Sequence, residues 1–168
     1  MEDRLTRGFI AGVVGGIGMN LWGFFAGLMN FTTLRMADWA VIMIYAHTPP
    51  FDSGEIIFAL LGQLFFTGAL GAAFVYLLRL VTSKNLIFKG WFFSVLIWFF
   101  IYAVTTLFKV EGTMPLPFKT AVANFIAATI YGLALPIALK ILTVRLDSTQ
   151  MSMAPAMKPL NKSEEDES

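Results

Sequence analysis

Long stretches without charge alternate with short charged segments along this chain. Asp, Glu, Lys and Arg are missing from four runs, 8–31, 56–78, 90–108 and 120–139. About 20 helical residues cross a hydrocarbon layer of about 30 Å. Backbone groups in lipid must be hydrogen-bonded within the protein, and the runs lack the alternating polarity of membrane β-strands. The pattern therefore predicts four transmembrane helices, at about residues 8–31, 55–80, 90–108 and 119–142.

A fifth apolar run, Trp39–Ala46, is too short to cross a membrane. We expect a short helix over about residues 36–47, in the first external loop. Trp39 and Tyr45 are residue types favoured at the membrane–water interface, so this helix would lie there or dip into the membrane as a re-entrant segment.

Small and polar residues recur on one face of each predicted span. Small residues at four-residue steps let helix backbones approach closely in lipid, and we assign eight glycines to helix packing: Gly8, Gly12, Gly16, Gly23, Gly27, Gly68, Gly71 and Gly132. The few polar side chains should turn away from lipid and form a polar seam: Asn20, Gln63, Thr67, Ser94, Tyr102, Asn124 and Tyr131. The expected fold is an all-α integral membrane protein with four transmembrane helices in a compact bundle.

The polar seam and one proline leave alternatives open. The seam residues either bond neighbouring helices together or line a small pocket. Pro136 lacks an N–H and crowds the carbonyl of Gly132, so it predicts a kink in the last span. The kink either shapes the bundle or serves as a hinge.

Composition agrees with the membrane assignment and excludes several chemistries. Hydrophobic residues make up 57% of the 168 residues and charged residues 14%, against about 25% charged in soluble domains. The chain has no cysteine, which excludes disulfides, thiolate metal sites and catalytic thiols. A net charge of +1 gives no general attraction to nucleic acid.

Positive charge is distributed unequally between the two sides of the predicted bundle. Nine of the 12 Lys and Arg residues fall on the side of the termini and the middle loop. Because positive residues mark the cytoplasm, we expect both termini inside, in a bacterial cytoplasmic membrane. The first run is too long for a signal-peptide core, so we keep it as a span. Three residues of the middle loop could contact anionic lipid headgroups: Arg79, Lys84 and Lys89.

The chain divides into a transmembrane domain, residues 1–146, and a polar tail, residues 147–168. The tail ends in an acidic stretch and holds little apolar surface that could offset the entropy of ordering. We therefore expect it to be disordered and cytoplasmic.

Candidate chemistry is confined to the external loops. One His and four carboxylates would lie there, and the candidates among them are His47, Asp52, Glu55 and Glu111, with Asp38 as the fourth carboxylate. Such groups can bind a metal or perform acid–base catalysis, but their spacing matches no metal or catalytic motif. Solvated ion pairs are the favoured interpretation, and we expect no cofactor and no enzymatic activity.

A family resemblance rests on residues in the second, third and last spans: Gly71-Ala-Ala-Phe-Val-Tyr-Leu-Leu-Arg79, Asn85, Lys89-Gly-Trp91, Leu96-Ile-Trp98 and Tyr131-Gly132-Leu133. The pattern is similar to small four-span membrane proteins of Firmicutes, and it most resembles the YqhR-type conserved membrane proteins. The resemblance covers about residues 8–140 and implies a four-span fold. It implies no activity and no functional residues.

Three functions are compatible with the sequence. The first is association through membrane helices, as a homo-oligomer or beside a membrane-protein partner, which the glycine faces favour. The second is a small carrier or pore for a neutral or weakly polar solute, which the polar seam favours. The third is a membrane-embedded enzyme whose external site contains His47.

Overall fold

The computed structural model of the protein describes residues 4–81 and 84–153, with side chains described as far as Val144. Every regular element in these ranges is an α-helix. The helices are α1 (Arg4–Leu28), α2 (Met36–Tyr45), α3 (Ser53–Leu77), α4 (Leu86–Leu107) and α5 (Phe118–Met153). The predicted all-α fold is confirmed, with four long apolar helices and one short one.

Polar side chains set the starting points of three helices. The Asp52 carboxylate accepts a hydrogen bond from the Gly54 N–H, and Glu55 reaches back to the Asp52 N–H, so α3 begins with a capping box. Asn85 caps α4 by accepting from the Phe88 N–H at 3.1 Å. Asp38 accepts from the Arg35 N–H at 2.7 Å at the start of α2.

Helix α1 lies at the centre of the arrangement. It packs against both α3 and α5, whereas α4 packs mainly on α5 and α2 packs mainly on α3. The largest buried cluster joins α1, α3 and α5 and includes Ala11, Met19, Phe74, Tyr131 and Leu135. Helices α3 and α4 are consecutive in the chain, yet they are scarcely packed against each other.

The helix boundaries differ from the sequence expectations in a regular way. Helices α1, α3 and α4 begin two to four residues earlier than predicted, because a charge at a helix end interrupts a charge-free run without interrupting the helix. The short helix ends at Tyr45, and Ala46 is left-handed with φ of 56°. Helix α5 continues to Met153, past residue 147, where the sequence analysis expects the tail to begin. No proline or glycine interrupts residues 137–153, and residues 154–168 lie outside the described part.

The outer surface of the long helices is apolar. Large side chains such as Leu21, Phe65, Phe99 and Leu107 are more than half exposed. Soluble proteins rarely expose so much contiguous apolar surface. Four helices are long and apolar enough to span a bilayer: Arg4–Leu28, Ser53–Leu77, Leu86–Leu107 and Phe118–Val144. Together these features indicate a multi-pass membrane protein.

Candidate functional site

The space between α3 and α4 forms a cleft of about 660 Å³, which we call the α3–α4 cleft. Its two long walls are Gly62–Leu70 of α3 and Ser94–Thr105 of α4. Ala128 and Tyr131 of α5 lie at its base, and α2 closes part of one end. Ligand-binding pockets commonly have volumes of about 300–1,000 Å³. The cleft is therefore large enough to hold a small organic molecule.

Two side-chain hydrogen bonds tie the base of the cleft together. The Tyr131 hydroxyl donates to the Thr67 carbonyl oxygen at 2.8 Å, which links α5 to α3. The Ser94 hydroxyl donates to the Ala128 carbonyl oxygen and links α4 to α5. These side chains are buried, and their hydrogen bonds fix the backs of the two long walls.

Gln63, a polar residue of the cleft wall, has an amide oxygen without a hydrogen-bond partner among the described residues. Its side chain is only 8% exposed, and Oε1 itself is buried. Trp39, also in the lining, is 3% exposed, and its indole N–H is likewise buried without a protein acceptor in the described ranges. Leaving one buried polar atom unsatisfied costs about 1–3 kcal/mol. Trp98, a third residue of the lining, has its indole N–H buried in the same way, so the cleft carries one acceptor and two donors that have no partner in the described part of the chain and that a bound polar group could satisfy.

The structure divides the predicted polar seam into separate groups. Four of its members line the α3–α4 cleft: Gln63, Thr67, Ser94 and Tyr131. The Asn124 amide donates to the Leu34 carbonyl oxygen at 3.2 Å and to the Tyr102 hydroxyl at 3.0 Å, so this pair holds the loop before α2. Asn20 donates to the Gly16 carbonyl oxygen of its own helix and borders a different depression. A single continuous seam is therefore not formed.

Glycines of α1 face the backbone of α3. A methyl group added to Gly12 would overlap the Thr67 carbonyl oxygen and lie 3.0 Å from the Cα atoms of Gly68 and Gly71. A methyl group on Gly8 would lie 2.8 Å from the Gly71 carbonyl oxygen. This face brings two helices of one chain together and is occupied within the chain.

The remaining glycines differ in their surroundings. A methyl group on Gly16 would overlap the Thr67 hydroxyl, whereas Gly23 and Gly27 lie under the side chain of Arg35 with room for such a group. Gly132 packs closely on Gly90 at the contact between α4 and α5.

Pro136 lies at the same α4–α5 contact. A methyl group on Gly90 would lie 2.5 Å from the Gly132 carbonyl oxygen and 2.7 Å from the Pro136 ring. The carbonyl that Pro136 deprives of its helical partner therefore faces the Cα of Gly90. Glycine is needed at residue 90 because the two helices approach closely there.

The acidic residues that the sequence analysis expects to be external serve mainly to begin helices. The His47 imidazole bonds the Glu55 carboxylate at 3.1 Å, and its other ring nitrogen lies 2.9 Å from the Thr48 carbonyl oxygen. The bond to the Thr48 carbonyl, and then the bond to Glu55, raise the pKa of His47. Asp52 and Glu55 form the cap of α3.

Other charged loop residues pair locally or stay apart from this group. Arg35 and Asp38 form a two-bond ion pair with a shortest distance of 2.9 Å, and this hydrogen bonding raises the pKa of Arg35. Glu111 takes part in neither this pair nor the His47 contact. Within the described residues, no three His, Asp or Glu side chains are grouped to hold a metal ion.

The basic residues of the middle loop lie near the adjoining helix ends. The Lys89 ammonium donates to the Val81 carbonyl oxygen at 2.6 Å and so spans the connection between α3 and α4. Arg79 follows the end of α3, and Lys84 precedes α4.

Sequence reasoning missed several residues of the cleft. Trp39 and Trp98 are absent from the predicted polar seam, and Gly62 is given no role by the sequence analysis. Trp98 belonged to the same four-residue stripe as Ser94, which was an available signal. Gly62 showed no such signal, because its position on the cleft depends on where α2 packs.

No protein-family model matches the chain, and neither a curated protein nor a solved structure does. The resemblance to YqhR-type membrane proteins therefore stays a prediction.

Proposed function

We propose that this membrane protein binds a neutral, largely apolar molecule in the α3–α4 cleft, as a carrier or receptor and without chemical conversion. The observation that carries the proposal is the cleft of about 660 Å³ with buried Gln63 in its wall. Binding sites of this kind are mostly apolar and contain a few placed polar groups. The lining is of this type, with Thr67, Ser94 and Tyr131 already bonded inside the protein.

A hydroxyl is the polar group that suits this lining best. It can donate to the Gln63 amide oxygen or accept from the indole N–H of Trp39 or Trp98, neither of which has a partner among the described residues. A carboxylate lacks a proton for Gln63 and would be costly to bury, since the described lining contains no charged side chain. The preferred ligand is therefore a neutral alcohol with a long apolar body.

The test is a binding titration in lipid nanodiscs. The Trp22→Phe/Trp91→Phe variant keeps the two tryptophans of the cleft, and bromoundecanol quenches the fluorescence of a tryptophan that it contacts. We expect saturable quenching by bromoundecanol. Bromoundecanoate should bind at least about tenfold more weakly, because its charge would be costly to bury. Linear, unsaturable quenching by both probes would show only partition into the bilayer and would refute the proposal.

Two leucine substitutions separate a specific contact from general polarity. Gln63→Leu removes one hydrogen bond of about 0.5–1.5 kcal/mol, so the dissociation constant of bromoundecanol should rise about 2- to 13-fold. Asn20→Leu is the matched control, because Asn20 bonds its own helix and lies outside the cleft. Equal effects of the two changes would exclude a direct role for Gln63.

Association with another membrane helix is the second candidate function. It is favoured by α4, which packs mainly on α5 and leaves much of its apolar surface exposed. The partner would be a second copy of the chain or another membrane protein. Light scattering of the protein in several detergents tests self-association, and a single monomeric mass in all of them excludes the homo-oligomer.

The proposed location is a bacterial cytoplasmic membrane, with both termini in the cytoplasm. The excess of Lys and Arg on the side of the termini supports this orientation. Arg79, Lys84 and Lys89 would then lie beside the anionic headgroups of the inner leaflet. Thiol labelling tests the orientation cleanly because the chain has no cysteine of its own. A cysteine added in the middle loop should be protected from impermeant reagents in intact cells.

A further inference from the structure

We infer that the molecule held in the α3–α4 cleft reaches it sideways from the hydrocarbon of the bilayer. The ligand class is then a membrane-dissolved amphiphile, and not a solute that passes between the two aqueous sides. This inference rests on the proposed binding function and adds the route and the ligand class. It follows from what surrounds the cleft on each side.

Two aromatic rings join α3 and α4 at the end of the cleft nearer their connecting loop. The ring centroids of Phe74 and Phe93 are 5.4 Å apart. Phe74 is fully buried in the main core cluster, and Phe93 packs against that cluster. Leu70, one turn before Phe74, is the last residue of α3 in the lining. A solute from the loop side would have to separate this ring pair.

Helix α2 bridges the two walls at the opposite end. Trp39 stacks on Tyr102 of α4 with ring centroids 4.9 Å apart. Further along α2, the Ile44 side chain reaches α3, where it would lie 3.6 Å from a methyl group on Gly62. One short helix therefore contacts both walls, and it obstructs access from the aqueous phase on that side.

The flank of the cleft faces outward between α3 and α4. These helices are scarcely packed together, and the exposed residues at the rim include Phe66 and Phe100, which are 50% and 64% exposed. In a membrane this flank meets lipid chains. A neutral amphiphile can pass from lipid to cleft without hydrating either its chain or the wall, whereas an ion would first have to enter the hydrocarbon.

The dimensions also suit one extended chain. The α3 wall runs over eight residue steps from Gly62 to Leu70, which corresponds to about 12 Å at the helical rise. Gln63 lies at the α2 end of this wall. A ligand bound with its hydroxyl at Gln63 would therefore direct its apolar body toward Leu70.

The route is tested by quenching Trp39 from different phases. The Trp22→Phe/Trp91→Phe/Trp98→Phe variant keeps Trp39 alone, and the Trp22→Phe/Trp91→Phe variant serves if the triple variant does not fold. Each is reconstituted in vesicles of phosphatidylcholine brominated on an acyl chain, and separately exposed to iodide on both aqueous sides. Gly62→Leu in the same background adds a large side chain to the cleft wall, at a position where its Cβ would make an ordinary contact with Ile44.

We expect the brominated chains to quench Trp39 although the protein buries it. Gly62→Leu should reduce this quenching at least about twofold, and iodide should have little effect in either protein. Quenching by iodide without quenching by brominated chains would overturn the lateral route. A second result would also overturn the lateral route: the protein is dimeric in vesicles and brominated chains do not quench Trp39. A second copy of the chain would then fill the cleft.

The two proposals fail in different ways. If bromoundecanol binds saturably but brominated chains do not reach Trp39, binding stands and the route is wrong. If bromoundecanol shows no saturable binding, the binding function itself is refuted whatever the brominated chains do.

Discussion

Substituting Gly12 with alanine should disturb the contact between α1 and α3 more than any change of similar size on the lipid-facing side. The added methyl group would overlap the Thr67 carbonyl oxygen and lie 3.0 Å from two Cα atoms of α3. Favourable carbon–carbon contacts occur at about 3.5–4.0 Å. All three obstacles are backbone atoms, so relief requires the helices to separate by about 0.5–1 Å.

The cost of this separation follows from the contacts that it weakens. A gap of 0.5–1 Å removes about a quarter to a half of the dispersion energy of each contact. Overpacking in cores costs about 1–3 kcal/mol, while replacing glycine by alanine in a helix gains up to about 1 kcal/mol. Because the obstacles are backbone atoms, we expect a cost of about 2–3 kcal/mol, which the alanine gain reduces to a net fall in the free energy of unfolding of about 1–2 kcal/mol. Titration with SDS in mixed micelles, followed by circular dichroism, measures this quantity.

Gly18→Ala is the matched control on the same helix. Its methyl group would lie 3.5 Å from an Ile130 methyl carbon, which is an ordinary contact. This variant should be as stable as the wild type, or more stable by up to about 1 kcal/mol. If Gly12→Ala proves as stable as Gly18→Ala, α1 and α3 do not approach each other this closely. The assignment of this glycine face to packing within one chain would then be wrong as well.

Two further predictions concern single hydrogen bonds. Tyr131→Phe removes the hydrogen bond to the Thr67 carbonyl oxygen. The free energy of unfolding should fall by about 0.6 kcal/mol, the average for interhelical hydrogen bonds in membranes. An SDS titration that shows no loss of stability would contradict this role. His47 is the one histidine of the chain, and its contacts raise its pKa. The protonated imidazole therefore stabilises the fold below the pKa of an unfolded histidine, and this stabilisation is lost as the pH rises through the raised pKa. Glu55→Gln should lower the pKa of His47 in an NMR titration of the imidazole, and an unchanged pKa would show that the carboxylate contact is not formed in solution.

The number of spans could be predicted from sequence, because lipid imposes a length and an absence of charge that residues 56–78 and 90–108 display directly. The helix ends were harder to predict from the sequence. Glu55 and Lys89 lie inside helices but outside the charge-free runs, since a cap or a headgroup region tolerates charge.

The cleft could not be predicted for a different reason. A stripe of small or polar residues shows that a helix face turns inward, but not which helix it meets. Gln63 and Ser94 could have packed against each other if α3 and α4 were neighbours in a closed bundle. They instead form opposite walls, because α1 takes the place beside α3 and α5 takes the place beside α4.

The central position of α1 has a consequence for how the chain assembles during synthesis. Helices α1 and α3 can pair as soon as α3 has entered the membrane, since their contact requires no later segment. Helix α4 must wait in lipid until α5 arrives, because α5 is its main partner. Assembly of this protein therefore has two stages, and a chain arrested before α5 would hold one finished helix pair beside one solitary helix.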